Sequence, residues 1–216
     1  MDALTPFGPV PDADPALHRW LRDLLAAALA ALRPGRPAPP PAAWTADTDL
    51  AADFGVDSLE LLGFSSALSD VLGPASPETA LSFFEDTRLS RWTTLVGQAW
   101  AAADAGQAPL VFRTSGSTGS PKRCLHARAA LAAELDAHAV WAAGTGRVVA
   151  AVRSHHIYGF LFTVLWPRRG DGGPRPVLDV CGLPPAAVLP QLRPGDLVVA
   201  FPDWWAAWRR AGLRPP

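Results

Sequence analysis

Lysine is nearly missing from this chain. Lys122 is the single one in 216 residues, against eighteen arginines. In a chain so biased towards the planar guanidinium, one lysine points to a position that needs a compact ammonium. Cysteine is scarce too. Cys124 and Cys181 are the only two, without metal-ligand spacing. That excludes a disulfide framework or a zinc module, fits a reduced cytoplasmic protein, and leaves each thiol a small packing group. No apolar run is long enough to span a membrane. The first residues, MDALTPFGPVPDADP, lack the basic start and apolar core of a secretory signal. Formal net charge is only −1, so bulk attraction to nucleic acid is not expected. There is no internal repeat.

What charge there is divides unevenly. From Asp47 to Asp86 every charged residue is acidic, whereas beyond residue 109 arginines outnumber acids. An acidic front joined to a basic back suggests two units, and the length has room for them. Residues 1–14, rich in proline and small side chains, predict an irregular lead-in. Leu17, Trp20, Leu21, Leu24, Leu25, Ala28 and Leu32 then recur at helical spacing, with Asp14 as N-cap and Pro15 at the first helical position. A proline-rich stretch follows Pro34-Gly35. Asp57 caps a second helix that presents Leu61, Phe64, Leu68 and Leu72 on one face and closes at Gly73. A short helix around 80–84 and a last one through Leu89, Trp92, Val96 and Trp100 complete a four-helix bundle with a long first loop, residues 15–103. Residues 104–109 read as a linker.

The second half, 110–216, alternates strand and helix patterns. Strands are predicted at 110–112, 146–152, 177–180 and 196–201. Helices are predicted at 126–143, 159–166 and 184–192 and through Trp204, Trp205 and Trp208. That pattern argues for an α/β layer. The fold class is therefore α plus α/β.

Two short motifs carry chemistry. Thr114-Ser-Gly-Ser-Thr-Gly-Ser-Pro-Lys122 follows the first strand. Gly116 and Gly119 free the backbone to turn successive N–H groups inward around a phosphate. Thr114, Ser115, Ser117 and Thr118 add hydroxyl donors, and Lys122 adds positive charge. The Gly-Lys-Ser/Thr ending of the Walker pattern is absent. On composition alone, a flexible Gly/Ser loop is the competing reading. The other motif is Phe54-Gly-Val-Asp-Ser-Leu-Glu-Leu61. Ser58 stands at a helix start, where the positive end of the dipole favours an incoming phosphodiester. A serine satisfying a backbone donor there is the plain alternative.

The first motif closely resembles the signature loop of acyl-adenylate-forming enzymes, the AMP-dependent synthetases and ligases. The resemblance implies that Thr114, Ser115, Gly116, Ser117, Thr118, Gly119 and Lys122 bind the phosphates of ATP, with Lys122 also catalytic. The second motif resembles the attachment site of acyl carrier proteins, and implies that Ser58 carries 4′-phosphopantetheine. The carrier resemblance covers roughly Pro15 to Ala103. Its acidic helix matches the surface by which carriers meet basic patches on their enzymes, although an acidic run also simply aids solubility. Arg153-Ser-His-His-Ile-Tyr-Gly159 resembles the family's aromatic-His-x-x-Gly sequence, which assigns His156 and Gly159 to the acyl pocket. His155 stands where an aromatic is usual. No protein metal site is implied.

The chain ends near the middle of a usual adenylation domain. The later motifs, including the residue that helps bind Mg2+ and the lysine of the mobile lid, are absent. A truncated product, a fragment and half of a split enzyme are the three situations left open. The expected function is ATP-dependent formation of acyl-AMP and transfer to a phosphopantetheine thiol, incomplete in this chain. The alternative is a non-catalytic carrier with a docking or vestigial ligase remnant. Implied partners are a phosphopantetheinyl transferase, acyl-processing enzymes of a biosynthetic pathway, and a second chain supplying the missing half. Nucleic acid and a membrane span are not expected.

Overall fold

The computed structural model describes residues 14–40, 43–73, 76–105, 108–114, 122–140, 142–169 and 174–215. Contacts divide the chain between Ala130 and Leu131 into two compact units. Among the described residues no helix is long and apolar enough to cross a membrane.

The first unit is mainly helical. Helix α1 (Pro15–Leu32) starts as its sequence dictates: the Asp14 carboxylate accepts from the N–H groups of Ala16 and Leu17 at 2.8 and 3.1 Å. Its apolar stripe, Leu17, Trp20, Leu21, Leu25 and Leu29, is buried. The long first loop contains a five-residue helix that periodicity did not reveal, α2 (Leu50–Phe54). Leu50 and Phe54 are its only large apolar residues, too few to register a pattern. Asp49 caps its start, and Gly55, at φ 61°, ends it in the left-handed region where a Cβ is disfavoured.

Helix α3 (Ser58–Leu72) buries Leu61, Phe64, Leu68, Val71 and Leu72. Helices α4 (Pro77–Glu85) and α5 (Leu89–Ala105) follow. The last runs two residues beyond the predicted end of the bundle. Helix α1 packs against α3 and α5, and α4 packs against the same two. Trp20 meets Trp100 edge-on at 6.4 Å, while Phe64 and Phe83 both pack on Trp92. Such aromatic contacts add to the area they bury.

The same unit includes a β-hairpin. Strand β1 (Leu110–Thr114) pairs antiparallel with β2 (Lys122–His126), in a register that runs from Leu110 opposite His126 to Thr114 opposite Lys122. Alternation puts Leu110 and Phe112 on one face, where both are buried. Arg113 and Arg123 share the other face, exposed to solvent. Strand β2 is not foreseeable from its local sequence. Lys-Arg-Cys-Leu-His has no β-branched run, and the strand exists because β1 offers a pairing edge across the turn. Helix α6 (Arg128–His138) is accordingly shorter than the predicted 126–143.

The second unit holds a three-stranded parallel sheet in the order β4-β3-β5. Strands β3 (Arg147–Ala150), β4 (Val177–Asp179) and β5 (Asp196–Val199) sit inside their predicted stretches. Val148, Val149 and Ala150 are fully buried. Arg147 donates to both carboxylate oxygens of Asp196, at 2.9 and 2.6 Å, tying the start of β3 to β5. Between β3 and β4 runs a nearly all-apolar helical segment: α7 (Ile157–Phe160), a π-helical turn Leu161–Leu165, and α8 (Trp166–Arg168). Helix α9 (Pro185–Val188) with a 3₁₀ turn Leu189–Gln191 crosses from β4 to β5. Helix α10 (Pro202–Arg210) follows β5. Its tryptophans stack on one another: Trp208 is buried, while Trp205 stays 38% exposed.

Candidate functional site

Ser58 is the first residue of α3, and it is exposed. The turn that presents it is heavily braced. The Asp57 carboxylate accepts from the Glu60 N–H at 2.9 Å, and Glu60 accepts from the Asp57 N–H at 3.1 Å, a reciprocal capping box. Arg33, just beyond α1, then grips the same turn. Its Nε and Nη2 donate to the two Glu60 carboxylate oxygens at 2.5 and 2.6 Å. Its Nη1 and Nη2 also donate to the carbonyls of Phe54 and Gly55, at 3.0 and 2.8 Å. The Arg33 hydrogen bonds hold the Glu60 carboxyl below the usual carboxylate range. Four bonds from one guanidinium fix the α2–α3 corner and leave the serine hydroxyl facing water. Phe54 has its own structural reason, since its ring lies 4.6 Å from that of Trp44. Leu59 and Leu62, next to the serine, are 75% and 57% exposed.

The candidate phosphate loop lies in the chain between β1 and β2. Thr114 and Lys122 are Cα partners at the end of the ladder, so the two ends of the motif lie side by side. Lys122 is exposed. Ser115, Gly116, Ser117, Thr118 and Gly119 lie outside the described residues. The residues flanking the turn show what sequence reasoning missed. Arg113 and Arg123 face each other across the ladder, and both reach the Asp70 carboxylate of α3. Arg113 Nη2 bonds one oxygen, and Arg123 Nη1 lies 3.4 Å from the other. No signal in the sequence links residue 70 to residues 113 and 123. The link comes from β1 packing beside α3.

His156 and Gly159 are in the second unit. His156 precedes α7 and is exposed, with its ring 4.1 Å from that of His155. Gly159 is buried for a steric reason. A Cβ there would come within 2.0 Å of the Arg153 carbonyl oxygen, so only glycine lets the 153–156 turn fold back on α7. The Gly159 carbonyl accepts from the Thr163 hydroxyl at 2.5 Å. Tyr158 and Phe162 meet edge-on at 5.3 Å, and the His138 ring lies 5.2 Å from Phe162. Burial pushes the Tyr158 phenol upward, so it is neutral at physiological pH. The structure thus places Ser58 and the hairpin in one unit and His156 and Gly159 in the other. Among the described residues no group of three or more His, Cys, Asp or Glu is arranged to hold a metal ion.

The chain is similar to proteins named 4-coumarate–CoA ligase. The one from Rhodobacter capsulatus is 35% identical over 185 residues, covering 82% of this chain and 47% of its own length. That from Halorhodospira halophila is 35% identical over 198 residues, covering 90% of this chain and 48% of its own. A third, from Cereibacter sphaeroides, is 31% identical over 168 residues. The chain therefore spans about half the length of the relatives it matches. Alignments of the first two extents necessarily take in most of the helical half as well as part of the α/β half. No family model matches the chain, and no solved structure does.

Proposed function

We propose that this chain is part of an adenylate-forming ligase, which activates a carboxylic acid with ATP. The carboxylate attacks the α-phosphorus, its oxygen forms the acyl–phosphate bond, and pyrophosphate leaves. One observation carries the reading. Thr114 and Lys122, the two ends of the Thr-Ser-Gly-Ser-Thr-Gly-Ser-Pro-Lys motif, are paired at the end of the hairpin ladder, in a chain similar to named CoA ligases. Lys122 offers the compact charge that migrating phosphate charge requires. His156 and Gly159 would border the acyl group, and Mg2+ would be held with residues of the remaining half. The names of the relatives favour a hydroxy-aryl acid as substrate and coenzyme A as acceptor.

Ser58 supports a second element of the proposal, a resident phosphopantetheine thiol as acceptor. The hydroxyl is exposed on a braced helix start, which suits a group that a phosphopantetheinyl transferase must reach. An arm there would bring its thiol to the activated acid and later to acyl-processing enzymes. Should the α/β half be vestigial, the same serine would make the chain a plain carrier.

Two measurements test these parts separately. Acyl-dependent pyrophosphate exchange by purified residues 1–216 is expected to be weak and to rise when the remaining half is supplied. Exchange that stays absent with that half present, for aryl, fatty and amino acids alike, would contradict the ligase reading. Incubation with CoA and a phosphopantetheinyl transferase is expected to add one arm, seen by intact mass, to the wild type and none to Ser58→Ala. An unmodified wild type removes the carrier element and leaves CoA as the acceptor.

A further inference from the structure

Arg113 and Arg123 are direct cross-strand partners. Like charges so placed repel one another and weaken a ladder. Here the Asp70 carboxylate of α3 takes one guanidinium on each of its oxygens. The arginine pair is a single register step from Thr114 and Lys122, where the glycine-rich motif leaves and rejoins the hairpin. On the opposite face of the same strands, buried Leu110 and Phe112 give the hairpin its apolar attachment. Without Asp70 the loop-proximal end would carry three neighbouring cations, Arg113, Lys122 and Arg123, with no charge partner among the described residues.

We propose that Asp70 is a positioning residue for nucleotide binding: it clamps both arginines and so fixes the ends of the motif on helix α3. This rests on the reading of the hairpin as the ATP-phosphate site. Ser58 and Asp70 lie on one helix, about 18 Å apart along its axis at 1.5 Å per residue. The clamp thereby makes α3 a common rigid mount for the serine and for the motif. Of the three described cations at this end of the hairpin, Arg113 and Arg123 are held by Asp70, and Lys122 is exposed to meet phosphate.

The test uses the 216-residue chain as wild type, Asp70→Asn and Asp70→Glu. Hydrogen exchange is followed at residues 110–114 and 122–126, and Mg2+-ATP affinity by calorimetry. In Asp70→Asn, hairpin amides should exchange about fivefold faster, with α1 and α5 unchanged. ATP should bind about threefold more weakly, even though a negative charge has been removed. Asp70→Glu should recover most of both effects. If Asp70 acted only as a charge near the phosphates, Asp70→Asn would bind ATP more tightly. That result, or unchanged hairpin exchange, overturns the proposal. If the wild type itself binds no ATP, the nucleotide reading of the hairpin fails, and the exchange comparison alone decides whether Asp70 is the anchor.

Discussion

In the helical unit the largest side chains are the best buried. Trp20, Trp92 and Trp100 are wholly inaccessible, and so is Phe64 of α3, whose ring meets Trp92 edge-on. The α/β unit also buries Phe160 and Trp166 in its helical segment, but its sheet is packed differently. Its sheet core is small and β-branched, with Val149, Ala151, Val180, Val188 and Ala200 packed together and Trp204 only partly buried against them. The helical core is held by volume around its tryptophans, whereas the α/β unit has a point of close backbone approach at Gly159. The two should therefore fail under opposite kinds of substitution.

The largest effect is expected from emptying the helical core. Trp92→Ala should cost about 3–5 kcal/mol, read as an early loss of the helical transition in chemical denaturation. A loss below about 1 kcal/mol would mean that the core is not organised around Trp92. The matching change in the α/β unit adds one methyl group. Gly159→Ala puts a Cβ against the Arg153 carbonyl, so something must shift, at about 2–3 kcal/mol, with the helical transition unchanged. A third, smaller effect concerns the Ser58 corner. Arg33→Gln removes the guanidinium that braces α2 and α3 and should cost about 1–2 kcal/mol. It should also slow phosphopantetheine loading, since the serine turn is no longer held.

Acid should separate the units as well. His18 is held below its ordinary value, chiefly by burial, with its ring nitrogens facing the Thr93 hydroxyl and the Trp44 carbonyl at 3.3 and 3.4 Å. The unfolded chain therefore binds that proton more readily. The helical unit should start to lose stability as pH falls below about 6.5. Asp196 is the counterpart in the sheet, with its carboxyl held low by hydrogen bonds from Arg147. A carboxylate depressed in this way contributes stability above about pH 4 and loses it as pH falls through the folded value. The α/β unit should hold until that lower window. Hydrogen exchange by unit against pH checks the order, and His18→Gln should abolish the early loss.

The same comparison shows what a sequence can convey. Helices α1 and α3 were legible because capping residues and apolar spacing agree at Asp14 and Asp57. Strands β3 and β5 were legible because each contains a Val-Val run, and β4 because Val177 to Val180 is a short, mostly apolar stretch. Two elements were not. Helix α2 is too short for a period, and β2 takes its conformation from its partner. Ser58 stood out by its motif as a candidate, but the brace on its turn did not. Arg33 lies 27 residues from Glu60, and Asp70 lies 43 from Arg113. Nothing in local patterning records which charges the fold will bring together. Gly159 was found through a family pattern, and the fold supplies its reason, the Arg153 carbonyl.

The most direct test of the central claim is Mg2+-ATP binding to the purified chain, wild type against Lys122→Met, by calorimetry. The account expects saturable one-to-one binding by the wild type, at least tenfold weaker in the variant by roughly the 1.4 kcal/mol of one charge-assisted phosphate contact, with the melting temperature unmoved. Equal ATP binding by the two proteins would contradict it.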